Sequence, residues 1–332
     1  MTQFLRFFTT RVQTASLASA FVFLSSTVYA DGWDPNSQAS TIGSIANTRH
    51  NLTVDFNSSG NIMQLARNQY NAICVYCHTP HGANKQINAP LWNRTVNLDS
   101  FTIYDKPTTL MRPISLPGPS SLTCLSCHDG TIAIDSVLNM PGSGRTPSGG
   151  SLSNNEVGII VNDAFLDSWV DAGNQGPTGT HFTLGGAAAS CVSACHNAAI
   201  ELSIGWPDYS NFVLGTDLRD DHPIGVLFPT TFGPGIDFNE PNVIIPGRWA
   251  FFDTNGSGFA EKDEVRLYDS GDGPEVECAS CHDPHGVPSN GPGTRFNPSF
   301  LRVNNGISGS GDGETGIASA GASTLCLTCH AK

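Results

Sequence analysis

The chain has 332 residues and a formal net charge of −13, with 35 Gly, 21 Pro, 10 Cys and 10 His. Charged residues make up only 14 % of the sequence, against about 25 % in an ordinary soluble domain. The glycine and proline content argues against long helices and large sheets. The acidic excess excludes electrostatic binding to nucleic acid or to anionic membranes, since both need a basic surface.

The first thirty residues have the pattern of a secretory signal peptide. Arg6 and Arg11 are the only charged residues before Asp31, an apolar stretch follows them, and small residues precede a cleavage point after Ala30. An uncleaved membrane anchor is the weaker alternative, because the apolar stretch is shorter than the roughly 20 residues that a spanning helix needs. We predict an exported mature chain of residues 31–332 that forms a single domain and does not span a membrane.

The ten cysteines fall into five close pairs, and a histidine directly follows each pair. C-x-x-C-H is typical of covalent attachment of c-type haem, in which both thiols add to the haem and the adjacent imidazole binds the iron. Zinc sites built from the same cysteines would leave the five histidines unexplained. The predicted haem-attaching residues are Cys74, Cys77, Cys124, Cys127, Cys191, Cys195, Cys278, Cys281, Cys326 and Cys329, and the predicted proximal iron ligands are His78, His128, His196, His282 and His330.

The third motif departs from the pattern, because three residues instead of two separate Cys191 from Cys195. The backbone must bulge there if both sulfurs are to reach one haem. His196 still follows the pair, so we predict haem attachment here as well. The alternative is an ordinary disulfide, which the oxidising environment of an exported protein would permit.

Five histidines remain outside the motifs, one for each predicted iron. The methionines beyond Met1 number only three and cannot serve five sites. This count favours bis-histidine ligation of every iron, with His50, His81, His181, His222 and His285 as the distal ligands. Because protein side chains then fill both axial positions, no iron is open to a substrate, and the chain is predicted to transfer electrons and not to be an enzyme.

Two of these distal candidates belong to a longer repeat, C-x-x-C-H-x-P-H-G, at residues 74–82 and 278–286. In each copy the second histidine lies three positions after the proximal histidine, on the same side of the haem. It cannot reach the opposite face of its own haem. His81 and His285 are therefore predicted to bind the irons of other haems, which places those haems close together.

The fold class predicted from these features is a multihaem cytochrome c that is mostly coil, with short helices at the haem motifs and little sheet, packed around a chain of haems. A further helix is predicted at residues 62–73. The Gly- and Ser-rich segments 141–155 and 304–323 are predicted to be surface loops or linkers.

A second metal motif precedes the fourth haem motif, at residues 253–264. It fits an EF-hand loop with oxygen ligands at loop positions 1, 3, 5, 9 and 12, a backbone carbonyl at position 7 and glycine at position 6. A polar turn without calcium is the alternative. The predicted Ca²⁺ ligands are Asp253, Asn255, Ser257, Phe259, Glu261 and Glu264, and a single loop of this kind would stabilise the fold and not act as a sensor.

The chain resembles the exported multihaem c-type cytochromes with the doubled motif, and it is most similar to the tetrahaem and hexahaem members that polymerise into extracellular filaments, the microbial nanowires. The resemblance rests on Thr48–Leu52, residues 74–82 with 89–94, residues 127–131, residues 221–225, and residues 278–286. It implies a continuous stack of bis-histidine haems. It also implies that one N-terminal distal histidine, His50 here, is donated to a haem of the neighbouring protomer. The five-haem count and the widened third motif depart from those members.

We therefore expect an exported pentahaem electron carrier that assembles head to tail into a homopolymer outside the cell or on its surface. It would pass electrons to redox partner proteins or extracellular acceptors. Two alternatives remain open: a monomeric periplasmic carrier with the same motifs, and a multihaem reductase. The reductase is disfavoured because such enzymes keep one iron open, typically with lysine in place of the motif histidine, and the chain has no C-x-x-C-K motif.

Overall fold

The computed structural model describes residues 44–52, 72–106, 112, 114–139, 175–176, 179–180, 182–186, 190–288, 296–303 and 323–331. The predicted signal peptide, His181 and nearly all of the two Gly- and Ser-rich segments lie outside these residues. So does most of the helix predicted at residues 62–73.

Short helical segments carry the five cysteine motifs. The described α-helices are α1 (Pro119–His128), α2 (Cys191–Ala194), α3 (Ala198–Ile204), α4 (Cys278–Cys281) and α5 (Thr324–Cys329). Single 3-10 turns span Ile45–Asn47, Ile73–Tyr76, Ser210–Phe212 and Pro298–Phe300. Proline opens α1 at its first position, and serine side chains cap α2 and α5.

A five-stranded antiparallel sheet fills the region between the third and fourth motifs. The described strands are β1 (Gln175–Gly176), β2 (Gly179–Thr180), β3 (Val226–Leu227), β4 (Val243–Ile245), β5 (Trp249–Phe251), β6 (Arg266–Asp269) and β7 (Pro274–Val276). The first two form a separate hairpin, and the others are ordered β3-β7-β6-β5-β4. In register, Ala250 lies opposite both Ile244 and Leu267, and Val226 lies opposite Val276.

The predicted fold class, mostly coil with little sheet, is therefore wrong. The glycine and proline content argues against large sheets, but here glycine forms the turns between short strands. Gly247 connects β4 to β5 with φ +72°, and Gly271 and Gly273 connect β6 to β7 with φ +128° and +115°. These positive φ values favour glycine. A glycine-rich segment can thus form a sheet when its strands are only two to four residues long.

The sheet packs against the C-terminal motif. Phe228, Ala250 and Leu267 form its buried core, and Leu325 and Cys329 of α5 pack on that core. Only Glu277 separates the last strand, β7, from α4, so the sheet also positions the start of the fourth motif.

A buried arginine holds the N-terminal half together. The Arg94 side chain is fully buried, and its guanidinium donates four hydrogen bonds of 2.8–2.9 Å to backbone carbonyls of residues 126–136. The Asn93 side chain next to it donates to the carbonyl of Val75, at 2.7 Å. Arg94 thus links the segment after the first motif to the second motif and to the residues that follow it, and Asn93 links the same segment to the first motif.

In the part of the chain that the structure describes, no helix has both the length and the apolar character that crossing a membrane requires.

Candidate haem site

Four of the five motifs share one backbone hydrogen bond. The N–H of the motif histidine donates to the carbonyl of the first cysteine at 2.7–3.1 Å in the first, fourth and fifth motifs. In the widened third motif, His196 N–H still donates to Cys191 O at 2.9 Å, although one more residue lies between them. The extra residue is accommodated by a wider turn of the π type. The relation of the histidine to the first cysteine is therefore the same as in the other motifs.

Cysteines of different motifs lie next to one another. The thiols of Cys124 and Cys278 are hydrogen-bonded, which raises the pKa of Cys124 and lowers that of Cys278. Burial and the neighbouring Cys127 raise the pKa of Cys77 to about 12. The second motif is thus adjacent to both the first and the fourth.

The fourth and fifth motifs are also neighbours. Burial raises the pKa of Cys329 to about 12, and the adjacent Cys281 contributes to the shift. The third motif is connected to the second through one segment: the Tyr209 ring stacks on His196 with centroids 4.0 Å apart, and Phe212 O accepts a hydrogen bond from His128 at 2.7 Å. All five motifs consequently form one contiguous group.

The histidine rings are oriented in a common way. Of the nine histidines in the described residues, seven hold Nδ1 2.7–3.0 Å from an oxygen; these are His50, His78, His128, His196, His222, His282 and His285. Six of the oxygens are backbone carbonyls and one belongs to the carboxylate of Asp283. Carbonyl and carboxylate oxygens only accept, so Nδ1 carries the hydrogen and Nε2 keeps its lone pair. This is how proteins orient histidines that bind metals.

Burial also keeps several of these rings neutral. It lowers the pKa of His50 to about 4, and it lowers the pKa values of His128, His196, His222 and His282. A neutral imidazole has a lone pair to offer an iron near neutral pH, whereas a protonated one does not.

Two pairs of rings face each other across a defined gap. The centroids of His78 and His285 are 6.2 Å apart, with planes 10° from parallel, and those of His50 and His128 are 6.4 Å apart, with planes at 80°. These distances are too long for rings in contact. Two imidazoles that bind one metal ion from opposite sides, each with about 2 Å between metal and nitrogen, have centroids about 6 Å apart. Both pairs have the spacing of axial ligands to a single iron.

The remaining predicted ligands are placed less completely. Burial lowers the pKa of His222. The His330 ring, which lies nearby, contributes to this shift. His81 is exposed, His330 packs on Phe238 with centroids 4.9 Å apart, and His181 lies outside the described residues. The structure therefore brings together candidates for the first, second and fifth irons.

One turn in the fourth motif contains two of these histidines and contacts two others. His282 is the motif histidine, the Pro284 carbonyl accepts from His50 at 3.0 Å, and His285 faces His78. Gly286 ends the turn with φ +80°, and a Cβ at that position would lie 2.5 Å from the Phe296 ring. The turn is therefore tightly packed and positions ligands of three predicted haems.

The positions of the histidines in the turn depend on residues that sequence reasoning missed. The carboxylate of Asp283 accepts both the backbone N–H and the ring Nδ1–H of His285 at 3.0 Å. Although burial acts to raise it, the hydrogen bond from His285 and the charge of Arg302 hold the pKa of Asp283 at about 2. A signal was present in the sequence: the residue between His and Pro in C-H-x-P-H-G is Asp283 here and Thr79 in the first copy.

A buried glutamate joins the second and fourth motifs. Glu277 caps α4 and accepts hydrogen bonds from the Gly118 N–H at 3.0 Å and from the Ser121 hydroxyl. The same hydroxyl accepts from Cys278 N–H at 2.9 Å. Burial raises the pKa of Glu277 to about 7.

The EF-hand-like loop connects two strands, β5 and β6, whereas the loop of an EF-hand connects two helices. The Asp253 carboxylate accepts backbone N–H groups of Gly256 and Gly258 at 2.6 and 2.8 Å, and the bond from Gly258 is the main cause of the lowered pKa of Asp253. Glu264 is fully buried and accepts from Thr254 N–H at 2.7 Å. Among the described residues no three His, Cys, Asp or Glu side chains form a metal-binding group. The loop thus orders its first and last carboxylates through its own backbone.

These observations fit haem at the motifs. The cysteines are present as thiols, each motif places a histidine at the same point of a helical turn, and the rings keep Nε2 available. Comparison with models of known protein families and with characterised proteins gave no match. The assignment therefore depends on the motifs and on this geometry alone.

Proposed function

We propose that the chain is an exported pentahaem c-type cytochrome that transfers electrons from haem to haem. The observation that carries this proposal is the geometry of the ring pairs His78–His285 and His50–His128, with Nδ1 of all four rings bonded to protein oxygens. When bound, each haem iron supplies a one-electron ferric–ferrous couple.

The protein residues hold and orient the haems in this proposal. The five cysteine pairs would bind them covalently, the motif histidines would bind the irons on one side, and distal histidines would close the other side. Contacts such as the one between Cys124 and Cys278 bring together motifs that are far apart in the sequence. Because both sides of each iron would then be occupied, this ligation favours electron transfer over binding of a substrate.

The proposal is tested by mass and spin state. We expect the intact mature chain to exceed its polypeptide mass by five haems, and the oxidised protein to contain only low-spin ferric haem. A mass of four added haems with a disulfide between Cys191 and Cys195 would contradict the assignment of the third motif alone. A stable high-spin fraction, together with rapid reduction of an added oxyanion, would favour a multihaem reductase instead.

Assembly and location are further parts of the proposal. A head-to-tail homopolymer outside the cell stays a prediction, as does the monomeric periplasmic carrier, and electron microscopy of secreted material would distinguish them. The role first expected for His50 changes, however. The His50 Nδ1–H donates a hydrogen bond to the Pro284 carbonyl, and the ring faces His128 of the same chain. We therefore propose that His50 binds the second iron of its own chain and is not donated to a neighbour.

We also propose that the loop at residues 253–264 binds Ca²⁺ as a structural ion, because the buried Glu264 and the ordered Asp253 occupy loop positions 12 and 1. Calcium at a hundredfold excess over its dissociation constant should then stabilise the fold by about 2.7 kcal/mol. Thermal unfolding of the haem-loaded protein, with and without calcium, measures this.

The Glu264→Gln variant should lose most of that stabilisation, since it removes the charge at position 12. The Asp263→Asn variant removes an exposed carboxylate that is outside the predicted ligand set and should keep it. Equal responses of the two variants would show that the loop is only a turn.

A further inference from the structure

The acceptor that holds His285 differs in kind from the others. Six of the seven described ring Nδ1 contacts go to neutral backbone carbonyls, whereas His285 donates to the carboxylate of Asp283 at 3.0 Å. The same carboxylate oxygen accepts the backbone N–H of His285 at 3.0 Å. Two bonds from one residue to one oxygen fix the ring relative to the turn.

The surroundings of Asp283 keep this carboxylate in place. Its side chain is 9 % exposed, and its second oxygen lies 3.4 Å from the guanidinium of Arg302, which is 5 % exposed. Arg302 is itself fixed by hydrogen bonds of 2.9 Å to the carbonyls of Ala279 and Lys262. The carboxylate that faces His285 is therefore buried, ionised and rigidly oriented.

A carboxylate acceptor changes the electronic character of the imidazole. It draws the Nδ1 hydrogen towards itself more strongly than a neutral carbonyl does, which makes Nε2 a stronger donor to a bound metal. A stronger donor stabilises the ferric form of an iron more than the ferrous form. Hydrogen bonding around the axial ligand is one of the means by which a protein sets the potential of a haem.

We propose that the Asp283 carboxylate lowers the reduction potential of the haem whose iron is held between His78 and His285. This inference rests on the proposed function and on that axial pair. Asp283 acts through His285 and is a positioning residue. The first copy of the repeat lacks the device, because the equivalent Thr79 donates its hydroxyl to the backbone carbonyl of His81 at 2.9 Å.

The test is a spectroelectrochemical titration of the haem-loaded protein and its Asp283→Asn variant. Asparagine keeps an oxygen acceptor of the same size but removes the charge. We expect one of the five one-electron components to shift about tenfold towards the ferrous form, or about 59 mV upward, and the others to keep their positions. The low-spin EPR signal of one haem should change with it, which a purely structural role would not predict.

Two control variants test the direction of the potential shift and show that it is specific to this site. Arg302→Gln removes the positive charge opposite Asp283 and should move the same component downward. Asp272→Asn removes one exposed negative charge outside the motifs and should move none, because solvent screens that charge. If Asp283→Asn does not accumulate, Asp283→Thr, which installs the residue of the first repeat, takes its place with the same expected shift.

The outcomes separate this inference from the proposed function. Five low-spin haems in both proteins with unchanged potentials would overturn the role of Asp283 and leave the cytochrome assignment standing. A wild-type protein without a covalent low-spin haem at the first motif would overturn both.

Discussion

If His50 binds the second iron of its own chain, as proposed, we expect the His50→Ala variant to have one of its five haems high-spin instead of low-spin at every protein concentration. The His50 ring faces His128 of the same chain with centroids 6.4 Å apart, and Pro284 holds its Nδ1 from the other side. On the proposed ligation, removing the ring would leave the second iron without its distal ligand but with its proximal one. Absorption and EPR spectra of the oxidised variant measure the high-spin fraction, which should be one fifth of the haem.

Added imidazole should restore the low-spin spectrum of the His50→Ala variant, since the small ligand replaces the missing ring. Arg49→Gln is the matched control, because Arg49 is the adjacent residue and lies over the Tyr209 ring, 4.8 Å from its centroid. That variant should remain fully low-spin. A wild-type protein that becomes partly high-spin on dilution and recovers on association would instead show that a neighbouring protomer supplies the ligand.

The second large effect is a decrease in the free energy of unfolding with rising pH, caused by Glu277. Its pKa is raised by burial from 4.5 to about 7 in the folded chain. The folded state therefore keeps a proton that the unfolded state has lost between these values. Stability from this group is fully present below pH 4.5 and is lost as the pH rises to about 7, a change of about 3 kcal/mol.

The Glu277→Gln variant should remove this dependence, because the amide resembles the protonated acid at every pH. The quantity to measure is the difference between the free energies of unfolding of variant and wild type from pH 4 to pH 8, in which contributions of other groups cancel. This difference should shift by about 3 kcal/mol in favour of the variant. Glu240→Gln, at an exposed glutamate, should show no such trend. A flat difference for Glu277→Gln would contradict the buried titration.

The local parts of the site could be predicted from the sequence. Two cysteines and a histidine at fixed spacing specify a single helical turn, and the i to i+3 separation of His282 and His285 already indicates that the second ring cannot serve the same haem. These statements need only the geometry of a few consecutive residues. They hold whatever the rest of the chain does.

The partners of the histidines could not be predicted, because they come from distant segments. Pro284 lies 234 positions from His50 and Phe212 lies 84 positions from His128, and no local pattern indicates such contacts. The sheet was missed for a different reason. Val243–Ile245 and Trp249–Phe251 are strands of three residues, too short for an alternating pattern, and the high overall glycine and proline content argues against large sheets.

The turn at residues 282–286 also has a consequence for the order in which the protein matures. A chain exported from its N-terminus delivers His50 and His78 first, whereas the residues that complete or orient both of their sites, Pro284 and His285, arrive more than 200 positions later. On the proposed ligation, the first haem, attached early to the emerging chain, would wait with one axial position open until His285 has been translocated, whereas the second would have both ligands early but lack the Pro284 contact that orients His50. Closure of the first iron would therefore mark a chain delivered at least as far as residue 285, and a product truncated before that point would carry a ligand-accessible haem at its N-terminal end.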